Sequence, residues 1–351
     1  MGRAPSELLE PERDFAAGPA AGELIELSYV VPWRSAEPAS PEAIDYLRQV
    51  AGWCAEVIVV DGSPPEAFAA NARAWGTFVR HVPPDPARRC LMGKVAGVLT
   101  GVALAGPEHV VLADDDVRYS SRELERVDEL LEDHDLVRPQ NYFDPLPWHA
   151  VWDSARSLLN RSLGADFPGT LGVRRDTLLG AGGYDGDVMF ENLELMRTVA
   201  VWGGSIASPL DLYVRRLPPS AAHFWGQRTR QAYDDFAIPA RMAAWLGVVP
   251  GVTLLAVGRR WRVAGAAAAG VAGLAELGRH RGGGRRVFPV LAAVLAPGWV
   301  LERGVCAWLA VGQRLRFGGV RYGDSVIPVA AHSKRALRRR LATRVTGEVA
   351  G

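Results

Sequence analysis

Lysine is almost missing from this chain: of 351 residues only Lys94 and Lys334 are lysines, although Lys and Arg together number 40. Nearly all positive charge is therefore guanidinium, and Lys94 stands isolated in its half of the sequence. Cysteine is scarce too. Cys54, Cys90 and Cys306 are odd in number and far apart, which gives no disulfide framework and no CxxC metal motif, and suits a reducing cytosol. A charge imbalance is also lacking, since 39 acidic residues offset the basic ones, and this argues against a nucleic-acid partner. The first 22 residues have no apolar core of the kind a secretory signal needs, and their Ala, Pro and Glu content reads as a loose tail.

What the chain does have is alternation. ELIELSYVVP, residues 23–32, is a β-rich run stopped by Pro32. EAIDYLRQVAGWC places Ile44, Leu47 and Val50 on one helical face. EVIVVDGSP is a continuous apolar strand of the kind buried in a parallel sheet, and residues 73–82 pass from helix to strand again. LMGKVAGVLTGVALA reads as a helix and HVVLADDDV as a second buried strand ending in carboxylates. SRELERVDELLEDHD is an amphipathic helix with Ser120 or Ser121 as N-cap. This order predicts an α/β domain over 23–235 with a mostly parallel sheet, and ligands bind such sheets beyond the carboxyl ends of their strands. Asp61 and Asp114–Asp116, both at strand ends, are expected at one crevice.

Beyond Asp235 the composition changes. Residues 242–258, 263–275 and 287–301 contain no charged side chain, and the longest run, 17 residues, sits at the lower limit of roughly 17–25 for a membrane span. Arg259, Arg260 and Arg262 separate the first two runs; Arg279, Arg281, Arg285 and Arg286 separate the second from the third. Simple crossings would put basic loops on both sides of a bilayer, against the positive-inside bias. A hairpin on the cytoplasmic side, or helices lying partly in the interface, avoids that conflict. The expectation is an apolar, membrane-associated helical region over 236–320, set against a buried Ala/Gly-rich subdomain. A basic C-terminal tail over 321–351 follows, suited to anionic headgroups or to a solvated helix face.

Three adjacent aspartates raise one another's pKa and repel unless a cation lies among them. Hard oxygen ligands at the end of HVVLA suit Mg²⁺ or Mn²⁺, with substrate phosphates completing the shell. Asp61 closes EVIVVDGSP, where Gly62 permits a tight turn and the carboxylate can accept from a ribose or base. Lys94, near a helix start, can meet a diphosphate.

The ordered set VVP, VVDGS, GK, DDD, PGTLGVRRDTLLGAGGYDGD, FENLEL and QRTRQ resembles the inverting family 2 glycosyltransferases with a GT-A fold, over most of residues 23–235. Its membrane-associated branch, which includes ceramide glucosyltransferases and bacterial relatives, is the most similar. The resemblance implies that Pro32, Asp61 and Lys94 line the nucleotide pocket, that Asp114 and Asp116 are the ends of a DxD metal motif, and that Asp115 faces the sugar. It also implies that Thr170 and Gly172 shape the floor for donor and acceptor. Gly182, Gly183 and Tyr184 fall in the family's GGY turn.

Two departures stand out. Where the family has Glu-Asp, with Asp as base, this chain has Glu191 and Asn192, so the base is expected to be Glu191 unless Asp187 or Glu194 reaches in. In QxxRW, Gln227 and Arg230 are kept but Gln231 replaces Trp; Arg228 and Arg230 can still neutralise a diphosphate, while Trp225 or His223 stands in for the lost ring. The implied activity is metal-dependent transfer from a nucleotide sugar, UDP-sugar favoured, to a hydroxyl acceptor. The apolar third suggests a lipid acceptor at the cytoplasmic face of the membrane. Alternatives are a polyprenyl-phosphate sugar synthase, a non-catalytic nucleotide-sugar-binding membrane protein, and a soluble polysaccharide-building enzyme.

Overall fold

The computed structural model describes residues 24–323 and 325–348. The N-terminal tail expected over residues 1–22 lies outside the described residues. The expected α/β architecture followed by apolar helices is what the chain forms.

The first half winds strand by strand: β1 (Ile25–Trp33), α1 (Pro41–Ala51), β2 (Cys54–Asp61), α2 (Pro65–Trp75), β3 (Arg80–Val82), α3 (Gly93–Leu104) and β4 (His109–Ala113). A short β5 (Val117–Arg118) leads into α4 (Ser121–Asp133), whose N-cap is Ser120, with Glu123 reaching back to the Ser120 amide at 2.8 Å. Then come β6 (Leu136–Val137), β7 (Gln140–Phe143), α5 (Trp148–Leu163), β8 (Thr170–Arg174), α6 (Arg175–Gly180), α7 (Glu191–Trp202), β9 (Ile206–Ala207), β10 (Tyr213–Arg216) and α8 (Ala221–Tyr233).

The main sheet has the order β3-β2-β1-β4-β8-β6-β9. All its pairings are parallel except those of β8, which runs antiparallel to both β4 and β6. Its central strands are apolar on both faces because helices cover both. Val30, Ile58, Val110 and Leu171 pack on one side and Leu27, Tyr29, Val59 and Val111 on the other. Full burial of a side chain of this size stabilises by about 1.5–3 kcal/mol. α3 lies almost flush on β1: a Cβ at Gly101 would come 2.3 Å from Val30 Cγ1, so only glycine allows the approach. That contact carries Lys94, in the first turn of α3, over the end of β1. A second sheet, β5-β10-β7, pairs Arg216 with Val117 and so brings the end of β10 beside Asp116.

The apolar region forms α9 (Pro239–Val257), α10 (Trp261–His280) and α11 (Val290–Phe317). α5 is the helix they build on. A Cβ at Gly278 would fall 1.9 Å from Leu158 O, so α10 crosses α5 in backbone contact. On the other side Ala292, Ala293, Ala296 and Trp299 of α11 join α5 residues Ala155 and Leu158 in one core. α9 and α11 are long and apolar enough to cross a membrane by length and composition, with mean hydropathy 1.6 and 1.5. α9 is hardly covered by protein, whereas α11 is two-faced: Trp299, Arg303, Cys306 and Ala310 point inward, and Val294, Leu301, Val305 and Leu309 outward.

The residues read as a basic tail do not trail away, as far as they are described. β11 (Val320–Tyr322) and β12 (Ser325–Ile327) form a hairpin, and α12 (Lys334–Glu348) follows. Between them the chain pairs with the approach to α7, Met189 N donating to Val329 O at 2.9 Å and Phe190 N to Ala330 O at 2.7 Å.

Candidate active site

Five charged side chains alternate in sign at the carboxyl edge of the sheet. Lys94 Nζ lies 2.6 Å from Glu191 Oε1 and 2.5 Å from Asp114 Oδ1. Arg216 Nη2 is 3.4 Å from Asp114 Oδ2, and its Nε is 2.9 Å from each oxygen of Asp116. Four elements supply them: α3, α7, the β4–β5 turn and β10. Burial alone would pull the Lys94 ammonium down, but Asp114 and Glu191 override it and raise its pKa. Arg216 follows the same pattern, with Asp116 and Asp114 as the overriding partners. Both cations therefore stay charged, and the acidic cluster is held together by them.

The crevice beside this chain of charges, about 240 Å³ including its open mouth, is lined by Pro32, Lys94, Asp114, Gly169, Tyr184 and Asn192 among others. Asp115, between Asp114 and Asp116, is exposed at the surface. Desolvation in the turn, then the Asp116 and Asp114 carboxylates, push its carboxyl up. Burial, then the Glu191 carboxylate, raise the Tyr184 phenol above its ordinary range. Gly182 and Gly183 precede it in the left-handed region, each at φ 75°.

Of the three acids offered as base, Glu191 is the one at Lys94 and Asp114. Glu194 is fully buried one turn further along α7 and accepts from His332, 2.7 Å from its amide and 2.8 Å from Nδ1. Asp187 accepts from the Leu91 amide at 2.8 Å. Asn192 lines the crevice with its amide nitrogen donating to Pro168 O at 2.9 Å. Asp234, not singled out by the sequence, lies behind: burial, Asp235 and Glu191 push its carboxyl well above the usual range.

The other expected residues have partners of their own. Asp61 stands at the same sheet edge, beyond β1, but is buried with both oxygens engaged. Ser63 N donates to Oδ1 at 2.8 Å, Asn71 Nδ2 to Oδ2 at 2.9 Å, and His81 Nε2 is 3.0 Å from Oδ2. Burial pushes its carboxyl up, but the contacts from Asn71, Ser63 and His81 outweigh it and hold the pKa low. Thr170 is buried and donates to Leu112 O at 2.7 Å; Gly172 leaves room for Val127 of α4. Gln227 bonds to His223 on its own helix, and Arg230 lies over the Tyr322 ring at 5.4 Å. Arg228 is buried between Asp153 (2.8 Å) and Glu302 (2.6 Å), a tie between α8, α5 and α11 that leaves it no role at a diphosphate. Trp225 packs beside Trp148 at 6.0 Å. Arg216 carries no signal in the sequence. Nothing in YVRR marks it until β10 is known to pair with β5.

The donor set fits a divalent cation. Asp114 and Asp116 offer hard oxygens, and the Arg216 guanidinium already bridges them as a cation would. Gly169 keeps the position open, since a Cβ there would stand 2.7 Å from Asp114 Oδ2.

No protein-family model and no curated protein matches the chain. Among solved structures it is similar to a mannosyltransferase from Pyrobaculum calidifontis in complex with GDP-Man and Mn²⁺, at 17% identity and TM-score 0.44, covering 96% of this chain and 90% of that one. It is also similar to the mannosyl-3-phosphoglycerate synthase from Rubrobacter xylanophilus, at 14% identity and TM-score 0.41, covering 58% and 70%. A glucosyl-3-phosphoglycerate synthase from Mycobacterium tuberculosis, in complex with Mn²⁺, UDP and phosphoglyceric acid, gives 17% identity and TM-score 0.38, covering 59% and 76%. These similarities stop at the course of the chain, because the identities are too low to match residue with residue.

Proposed function

We propose that this protein is an inverting glycosyltransferase that moves a sugar from a nucleotide-sugar donor to a hydroxyl acceptor. The observation that carries the reading is Lys94, which touches Asp114 and Glu191 at once and so puts a base and a phosphate-side carboxylate on one crevice. The acceptor hydroxyl docks against Glu191, which takes its proton as the oxygen attacks the anomeric carbon. A single in-line displacement inverts that carbon. Asp114 and Asp116 would hold Mg²⁺ or Mn²⁺, whose positive charge would offset the negative charge developing on the leaving nucleoside diphosphate. Lys94 and Arg216 add cationic charge on the same side. A UDP-sugar is the favoured donor, with Pro32 and Asp115 at the edges of its site.

The acceptor we favour is a lipid, with the catalytic domain at the cytoplasmic face of the membrane. The outward apolar stripe of α11, the uncovered α9 and the exposed Trp261 beside Arg259, Arg260 and Arg262 support this. α10 is packed along α5 of the catalytic domain, which favours helices lying in the interface over a bundle of crossings.

Asn192 supports a second reading, a polyprenyl-phosphate sugar synthase. A phosphate oxygen is already ionised and needs no base, so an amide next to Glu191 would cost nothing. The test assays transfer by the purified chain and by membranes that contain it, with UDP- and GDP-sugars and lipid acceptors carrying either hydroxyl or phosphate. If Asp116→Ala and Glu191→Gln both leave transfer unchanged, the site is misassigned. Loss with Asp116→Ala but not with Glu191→Gln selects the phosphate acceptor.

A further inference from the structure

Arg216 is the one member of the charge chain with two acidic partners that both belong to the presumed cation site. Its Nε is 2.9 Å from Asp116 Oδ1 and Oδ2, and Nη2 is 3.4 Å from Asp114 Oδ2. A divalent cation held by the same two residues would stand at about 2.0–2.1 Å from their oxygens if it is Mg²⁺. Guanidinium and metal thus claim the same lone pairs. The contact is made beside Gly169, where the lack of a side chain leaves room for Asp114 Oδ2 and Arg216 Nη1 to meet. A Cβ at that glycine would lie 2.7 Å from the one and 2.9 Å from the other.

We propose that Arg216 competes with the divalent cation for Asp114 and Asp116, and that it transfers to the diphosphate when a metal–nucleotide complex displaces it. The proposal rests on the metal-dependent donor reading above. A guanidinium donates to a phosphate in the same two-point geometry in which it donates to a carboxylate, so the exchange keeps its hydrogen bonds. The metal alone offers Arg216 no new partner; the metal with its diphosphate does. Cation binding is therefore weak without nucleotide and strengthened by it, which keeps the site from filling with metal that carries no donor.

The experiment is Mn²⁺ binding to the full chain, followed by electron paramagnetic resonance and calorimetry, with and without UDP or GDP. In the wild type, nucleotide tightens Mn²⁺ binding tenfold or more. In Arg216→Ala, Mn²⁺ without nucleotide binds at least tenfold more tightly than in the wild type, and most of the gain from nucleotide is gone. Arg216→Gln, which keeps the length of the side chain and loses its charge, shows the same change if the alanine variant folds poorly. Mn²⁺ affinity without nucleotide that is equal to or weaker than wild type in a folded Arg216 variant overturns the proposal. Asp116→Ala separates the two levels: if Mn²⁺ binding survives it, the metal site itself is wrong, whatever Arg216 does.

Discussion

Lys94 Nζ sits 2.6 Å from Glu191 Oε1, a contact that spans 97 positions of sequence and joins the first turn of α3 to the first turn of α7. The same nitrogen holds Asp114 at 2.5 Å, so one ammonium sets the spacing between the proposed base and the proposed metal-side acid.

Replacing Lys94 by Met is expected to abolish transfer and to lower stability by about 1–3 kcal/mol, since two partly buried carboxylates lose their shared donor. Thermal unfolding and donor turnover measure the two effects separately. Glu191→Gln keeps the shape and is expected to lower kcat by about 10²–10⁴ with a hydroxyl acceptor. Unaltered turnover with such an acceptor would remove Glu191 from the mechanism.

Gly169→Ala should act on the site more than on the fold. Its new methyl would collide with Asp114 and Arg216 rather than with the apolar core. Mn²⁺ and nucleotide binding are expected to fall by tenfold or more with a melting temperature within a few degrees of wild type. A large loss of stability with intact binding would contradict this placement.

Arg228→Ala is expected to be severe for stability, about 3–5 kcal/mol, because it leaves Glu302 without its cation and Asp153 with Arg156 alone, at 3.4 Å, at the junction of α5, α8 and α11. Denaturant unfolding is the measurement. A mild effect would mean that water reaches the network.

Acid should unlock the same junction. Burial favours a neutral Asp153, but Arg156 and Arg228 outweigh it and lower its pKa from 3.8 to about 2. A depressed folded pKa means that the unfolded chain takes up the proton first. The stabilisation, about 2 kcal/mol, is complete above roughly pH 4 and is lost as the pH falls towards 2. Asp153→Asn should flatten that part of the stability–pH curve, and an unchanged slope would count against the ion pair.

Val305 and Leu309 lie on the outward stripe of α11 and are about half exposed, so aspartates there should fold. The wild type is expected to sediment with vesicles rich in phosphatidylglycerol, less so in high salt, and the double variant Val305→Asp/Leu309→Asp to stay in solution. Equal sedimentation of both proteins would remove this face from the interface.

The parts of this molecule that are legible in sequence are those fixed by neighbours along the chain. HVVLA is β4, LMGKVAGVLTGVALA contains α3, and Ser120 caps α4, because strand apolarity, helical spacing and capping are local signals. The Asp114–Asp116 turn was visible for the same reason. Arg216 was not, because its meaning comes from the pairing of β10 with β5. Arg228 was misjudged for the opposite reason: a motif position suggested a ligand, while Asp153 and Glu302, from distant helices, consume its charge. Residues 321–351 read as a basic tail for headgroups or solvent, yet within them His332 closes on the buried Glu194 and Arg197 donates to His332 O at 2.8 Å.

The pairing of Val329 and Ala330 with the approach to Glu191 has a consequence for biosynthesis. On the ribosome, the sheet, the aspartates and α3 emerge long before these residues do. The wall that carries Glu191 is completed only when residues 329–332 have left the exit tunnel. A chain cut before residue 329 would keep the crevice at Lys94 and Asp114 but lack the partner that pins the start of α7, and with it Glu191.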